Sequence, residues 1–245
     1  MSYPQFKNKH LEEALFNPEH YTTYVGYKKG DFPIKYIFVY SRKALAYFRK
    51  KYHPKKIKYS SQTDIYKYKT VGLVRMSGIG SPHAVTVMEE LIALGGKIFL
   101  NIGLAGGLKE DGIFLCKGAL RDEGTSHHYL PHGNFIYPDK DLTKKLSGCI
   151  RKLNLQYSDG LTWTIDAPYR ETKKEIEHYS KKGISTVEME ASALFAVAKY
   201  RKVKIAAAFV VSDVLKREWE PKFYKREVNK NLKLLVDAGV NCLTK

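Results

Sequence analysis

The chain is short of sulfur and of acid. Only three of its 245 residues are cysteine. Cys116, Cys149 and Cys242 lie far apart with no CxxC pair, which excludes a disulfide framework and a cysteine-built zinc site and fits a reducing compartment. No apolar run approaches the roughly 20 residues that span a bilayer. The opening MSYPQFKNKHLEEALFNPEHY lacks the apolar core of a signal peptide, so a soluble, cytoplasmic protein without a membrane partner is expected. Acidic residues are the second shortage: 25 Asp and Glu against 42 Lys and Arg leave a net charge of +17. Such an excess favours anionic partners, whether nucleic acid, an acidic membrane or a phosphorylated small molecule. Absent too are GxGxxG in a Rossmann context, GxxxxGK[ST] and HExxH.

What is present is an ordinary folded composition, 44% hydrophobic and 27% charged, long enough to bury a core without metals or disulfides. Strand-like apolar runs at Ile34–Tyr40, Val71–Met76, Lys97–Ile102, Gly112–Leu120, Asp159–Ile165, Ile184–Glu188 and Lys204–Val211 alternate with helical segments. The helices are expected from residue 41 to about Lys51 and over Pro82–Leu94, Asp139–Leu153, Tyr169–Lys182, Met189–Arg201 and Lys222–Leu243. This alternation predicts one α/β domain over residues 1–245, with a mixed, mostly parallel central sheet flanked by helices. Residues 1–33 form a polar N-terminal extension with helical character around Leu11–Leu15. The register of the basic, tyrosine-rich stretch Lys50–Lys69 is not fixed by pattern.

In such sheets ligands sit outside the carboxyl ends of strands, which selects SGIGSP (Ser77–Pro82), GLAGG (Gly103–Gly107), VEME (Val187–Glu190) and VVSDVL (Val210–Leu215). Glycine turns let backbone N–H groups approach an anion or sugar, or simply make a tight turn. Glu188 and Glu190, two apart, share a face on extended backbone. They can accept from ribose hydroxyls or complement a helix N-terminus. Asp213 ends the most apolar strand, where a carboxyl can serve as an acid or as a cap. Trp163 and Tyr169 offer aromatic faces, or core packing. His127, His128 and His132 cluster in a loop without metal-ligand spacing, so no metal site is expected. Tyr47–Lys69 interleaves cations with tyrosines, a pattern of nucleic-acid patches and more commonly of a solvated lysine-rich surface; a nucleic-acid partner is not expected.

Taken in order, SGIGSP with MEELIALG, NIGLAGGL, RDEGTSHHYLP, TWTIDAPYRET, VEMEASALFAVA and VVSDVL resemble the nucleoside phosphorylase-I family, which includes uridine phosphorylases, hexameric-type purine nucleoside phosphorylases and related nucleosidases. The resemblance runs from about Ile34 to the C-terminus. It implies a single α/β domain with a partly barrel-like sheet, assembled as a homo-oligomer, dimer or hexamer. It also implies phosphorolysis of a nucleoside, of the purine class and placed in purine salvage, with inorganic phosphate as co-substrate and no other cofactor. Met189 and Glu190 match the family's ribose-binding pair, with Glu188 beside them. Asp213 matches the aspartate at the base in purine-specific members, and Arg226 has the spacing of its arginine partner. Trp163 falls where an aromatic ring often meets the base, and His10 is the candidate for a histidine reaching a neighbouring subunit's 5′-hydroxyl. The phosphate site is expected from Arg42, Gly80, Asn101, Gly103 and Arg121, with Arg75 a further cation. Two departures favour a hydrolytic nucleosidase instead: Asn101 stands at the family's arginine, and Leu104 at its serine or threonine. A non-catalytic nucleoside- or nucleic-acid-binding relative is the remaining alternative.

Overall fold

A computed structural model describes residues 3–59, 63–216 and 218–244. Its strands are β1 (Lys35–Val39), β2 (Lys55–Lys58), β3 (Asp64–Tyr68), β4 (Val71–Arg75), β5 (Ile98–Gly107), β6 (Ile113–Asp122), β7 (Phe135–Ile136), β8 (Ser158–Ile165), β9 (Ile184–Glu188), β10 (Lys204–Leu215) and β11 (Trp219–Pro221). The α-helices are α1 (Pro18–Tyr24), α2 (Arg42–Tyr52), α3 (Ser81–Ala93), α4 (Lys140–Lys152), α5 (Lys173–Lys181), α6 (Ala191–Tyr200) and α7 (Arg226–Thr244).

All the strands belong to one mixed sheet, in the order β11-β10-β6-β8-β9-β5-β1-β4-β3-β2, with β7 on β6. Because β10 also pairs with β5, the strands β5, β10, β6, β8 and β9 form a closed ring, the barrel-like portion that the family resemblance implies. Parallel pairings run through β4-β1-β5-β10 and β6-β8-β9. Antiparallel pairings close the ring and make the edges.

Alternation along the strands builds two core layers. In β1, Tyr36 and Phe38 face one layer and Ile37 and Val39 the other, as a period of two requires. The first layer is covered by α3 and α6, the second by α2, α4 and α7. The buried stretch ASALFAVA of α6 reads as continuous small and apolar residues because β-strands and α3 surround it.

Several segments differ from the pattern-based expectation. The GLAGG glycines are not a loop: β5 runs through them to Gly107, with β10 alongside. The last strand likewise continues through SDVL to Leu215. The N-terminal helix lies at Pro18–Tyr24, where Asn17 and His20 make a reciprocal capping box, and Leu11–Leu15 carries only the end of a 3-10 turn (Lys9–Leu11). Within Lys50–Lys69, β2 and β3 form an antiparallel hairpin; residues 60–62 lie outside the described residues. Tyr59 and Tyr66 of that stretch are buried, and Tyr52 and Tyr68 pack on the core. Its aromatic rings therefore face inward rather than making a base-stacking surface. Among the described residues no helix is long and apolar enough to cross a membrane.

The closing helix α7 is fixed by one buried acid. Asp237, 3% exposed, accepts from the hydroxyls of Tyr47 (2.6 Å) and Tyr52 (2.7 Å) and from Lys51 Nζ (2.7 Å), all on α2. The lysine is half-exposed and adds little, so the tyrosines carry the attachment. Replacing Asp237 with alanine leaves both hydroxyls without their acceptor. A loss of about 2–3 kcal/mol is expected, measured by urea unfolding, against a near-neutral effect if the contact is merely superficial.

Candidate active site

A cavity of about 840 Å³ opens at the carboxyl ends of β1, β9 and β10, where an α/β sheet places its ligands. Its wall takes Tyr40–Lys43 after β1, Ile79 after β4, Ile102–Gly106 of β5, Val187–Glu190 after β9 and Ser212, Asp213 and Leu215 of β10. Pro168, Tyr169 and Glu171 enter from the segment before α5. Trp219, Phe223, Tyr224 and the first turns of α7 complete it.

The VEME segment is folded by its own acids. Glu188 is buried; Oε1 accepts from Thr164 Oγ1 (2.6 Å), and Oε2 from the backbone N–H groups of Glu190 (2.8 Å) and Ala191 (2.7 Å). It thus caps the start of α6, where a carboxylate complements the helix dipole. Glu190 Oε1 accepts from the Gly80 N–H at 2.6 Å, and the Met189 carbonyl accepts from Ser81 Oγ at 2.7 Å. Gly80 makes this junction at φ +102°, a conformation that a side chain would strain. The two motifs SGIGSP and VEME are therefore one structure. Burial and mutual repulsion hold the protons of the Glu188–Glu190 pair more tightly than ordinary carboxyls hold theirs.

A β-bulge shapes the other end. The β10–β5 register passes from Val211↔Ala105 to Asp213↔Gly106, leaving Ser212 as the extra residue. Bulges re-aim side chains, and here both Ser212 and Asp213 line the cavity. Asp213 Oδ1 accepts from Ser212 Oγ and Oδ2 from Trp219 Nε1, each at 2.8 Å. Glu171 has its carboxyl pushed up to about 7, first by burial and then by the charge of Asp213.

The structure thus brings Arg42, Gly103, Glu188, Met189, Glu190 and Asp213 to one cavity. The other candidates do not line it. Trp163 is fully buried under α5; its indole donates to Asp122 (2.8 Å) and its ring meets Tyr179, so it offers no face to a base. Arg226 is exposed at the start of α7, and the Asp213 oxygens are engaged by Ser212 and Trp219 instead. Asn101 is fully buried in β5 on the face of Phe99, away from the cavity wall. Arg121 is held by its own loop, through Ser126 Oγ (2.9 Å) and the Pro131 carbonyl (2.8 Å). The Gly80 N–H is used by Glu190. His10 sits on the N-terminal 3-10 turn, outside this chain's cavity; neighbouring Lys9 bonds His128 at 2.9 Å. Arg75 also stays outside, donating to the Met76 carbonyl at 3.1 Å.

Residues not singled out from sequence include Tyr40, Lys43, Glu171 and Trp219. Lys43 and Arg42 follow Ser41, which caps α2 by accepting from the Ala44 N–H at 3.4 Å. Ser-Arg-Lys at the end of the first strand was the available signal for that helix start. Trp219 had none, because its role depends on the short strand β11. Among the described residues no group of acids, histidines or cysteines has metal-binding geometry.

The fold and this wall are those of an enzyme-type cavity built on a closed mixed sheet. A family model described as the phosphorylase superfamily matches residues 38–241, and the chain belongs to that family. A purine nucleoside phosphorylase of Plasmodium falciparum is 32% identical over 142 residues, 55% of this chain and 58% of that one. A uridine phosphorylase of Treponema pallidum is 27% identical over 177 residues, covering 65% and 69%. The match thus spans somewhat over half the length of the first of these curated relatives. Among solved structures, an AMP nucleosidase from Bacteroides thetaiotaomicron superposes with TM-score 0.76 at 23% identity, covering 94% of this chain and 100% of that one. A purine nucleoside phosphorylase from Toxoplasma gondii in complex with immucillin-H also gives 0.76, at 18% identity and covering 89% and 93%. At these identities the superpositions speak for the fold.

The buried acid pair predicts a pH dependence of stability. A carboxyl whose folded-state pKa is raised binds more protons folded than unfolded. Its contribution is fully present below the ordinary 4.5 and is lost as pH rises from there to the raised value, about 7 for Glu190. Glu190→Gln, which keeps an acceptor for Gly80, is expected to match the wild type at pH 4.5 and to exceed it at pH 8. Urea unfolding at both pH values checks this; parallel curves for the two proteins contradict it.

Proposed function

We propose that this protein cleaves the N-glycosidic bond of a purine nucleoside by phosphorolysis. The observation that carries the reading is one cavity wall holding Met189 and Glu190, Asp213, and the cationic helix start Arg42-Lys43. The ribose hydroxyls bond Glu190 and pack on Met189. Phosphate is held by Arg42, by Lys43 and by the free N–H groups opening α2, a ready anion site. A phosphate oxygen attacks C1′ as the C1′–N9 bond breaks, and the bonding pair moves into the purine. Asp213, carrying a proton, gives it to N7 and so neutralises the leaving base. Such acid assistance contributes about 10²–10⁴-fold.

Two carboxyls at the base end, Asp213 and Glu171, favour a purine over uracil. A purine offers N7 to the acid Asp213 and an N–H or amino donor to Glu171, whereas uracil has no N7 and sets two carbonyls around its single N3–H. The second reading is hydrolysis by water. It is favoured by Leu104, an apolar residue on the wall, and by Asn101, which lies off it.

Initial rates of base release from guanosine, inosine, adenosine and uridine, with and without phosphate, test the proposal. Phosphate-dependent release from purine nucleosides with ribose 1-phosphate as product is expected. Equal rates without phosphate transfer the chain to the hydrolytic reading, and turnover of uridine alone removes the purine assignment. In the same assay, Asp213→Asn is expected to lower kcat by about 10²-fold or more. Arg42→Ala is expected to raise the KM for phosphate about tenfold, the scale of one lost charged hydrogen bond, with the nucleoside KM little changed.

A further inference from the structure

We infer that Trp219 is a positioning residue for Asp213, occupying the place that sequence spacing gave to Arg226; the inference rests on the purine reading above. The strand β11 pairs antiparallel with the end of β10, setting Trp219 opposite Leu215 and Pro221 opposite Asp213. From there the indole Nε1 reaches Asp213 Oδ2 at 2.8 Å, while Ser212 Oγ donates to Oδ1 at 2.8 Å. With one donor on each oxygen the carboxyl plane is fixed, so that its proton can be aimed at the base. The ring is 59% exposed and, among the described residues, the one aromatic ring it meets is that of Phe223, at 6.3 Å between centroids. Burial therefore does little to place it, and the N–H bond to Asp213 is its specific attachment.

An indole N–H differs from a guanidinium in charge. It orients the carboxyl without setting a cation beside the group that must hand a proton to the base. Trp219 thus acts through Asp213 on the bond-breaking step and not on ribose or phosphate binding.

The test compares guanosine with 7-methylguanosine, whose imidazole ring is already cationic and leaves without a proton at N7. For Trp219→Phe, which keeps a ring and removes the N–H, kcat on guanosine is expected to fall about tenfold with KM within about twofold. On 7-methylguanosine kcat should stay within about twofold of wild type. The double variant Trp219→Phe/Asp213→Asn should be no slower than Asp213→Asn alone. Equal losses on both nucleosides, or additive losses in the double variant, overturn the inference. A readout independent of turnover follows from the chain having two tryptophans. The emission difference between wild type and Trp219→Phe isolates Trp219, and the same difference taken in an Asp213→Asn background should be shifted. An unshifted difference refutes the contact. A wild type that releases no base from any nucleoside overturns the purine reading and the catalytic part of this inference, while the emission comparison still decides the contact.

Discussion

The site depends on the parallel ladder between β5 and β10. These two strands stay in register from Lys204↔Ile98 to Val211↔Ala105 before the bulge at Ser212. Both are nearly wholly buried, so a slip of one residue would turn every inward side chain to the other layer. That constraint fixes where Asp213 emerges relative to Gly106, and the bulge turns it into the cavity with Ser212. The closed ring of strands follows from the same pairing, because β10 also holds β6. The ring in turn carries β9, whose end presents Glu188, Met189 and Glu190 to the cavity. One ladder therefore sets the separation between the Glu188–Glu190 segment and Asp213.

Charge is distributed against the whole-chain balance. A protein with net charge +17 gathers Glu171, Glu188, Glu190 and Asp213 around its cavity, facing Arg42 and Lys43. Desolvation makes such a grouping costly unless donors or protons satisfy it. Thr164, Gly80 and the start of α6 supply donors to the VEME pair, and Ser212 and Trp219 supply them to Asp213. Glu171 has no such donor among the described residues, and its carboxyl is pushed up to about 7 beside Asp213. The lysine excess meanwhile stays outside, as in Lys56 on Asp64 or Lys222 on Asp111.

Much of this was legible in the sequence, for physical reasons that also mark the limits. The strands β1, β4, β9 and the helices α3, α4 and α6 follow from periodicity, since burial on two faces or one leaves a direct imprint on residue order. The place of Glu190, Met189 and Asp213 on the cavity wall was legible because they sit at strand ends beside glycine motifs. Arg226 was misplaced because spacing along a chain says nothing about a short edge strand that intervenes. Trp163 was misplaced because an aromatic ring at a strand end serves equally well as core, and here Asp122 and Tyr179 claim it. The bulge at Ser212 leaves no pattern at all: it is a product of pairing, and it decides which way Asp213 points.

The sites where the family resemblance places a cation or a hydroxyl form a consistent set. Asn101 stands where the family resemblance places an arginine, Leu104 where it places a hydroxyl, and Trp219 does for Asp213 what an arginine was expected to do. At each, a neutral or apolar group stands where a charged or polar one is expected. Arg121 remains cationic but spends its guanidinium on its own loop. The positive charge of the cavity is thereby concentrated at one place, the start of α2. An anion entering this cavity meets its cations there and acids elsewhere, so the wall itself has a cationic end and an acidic end.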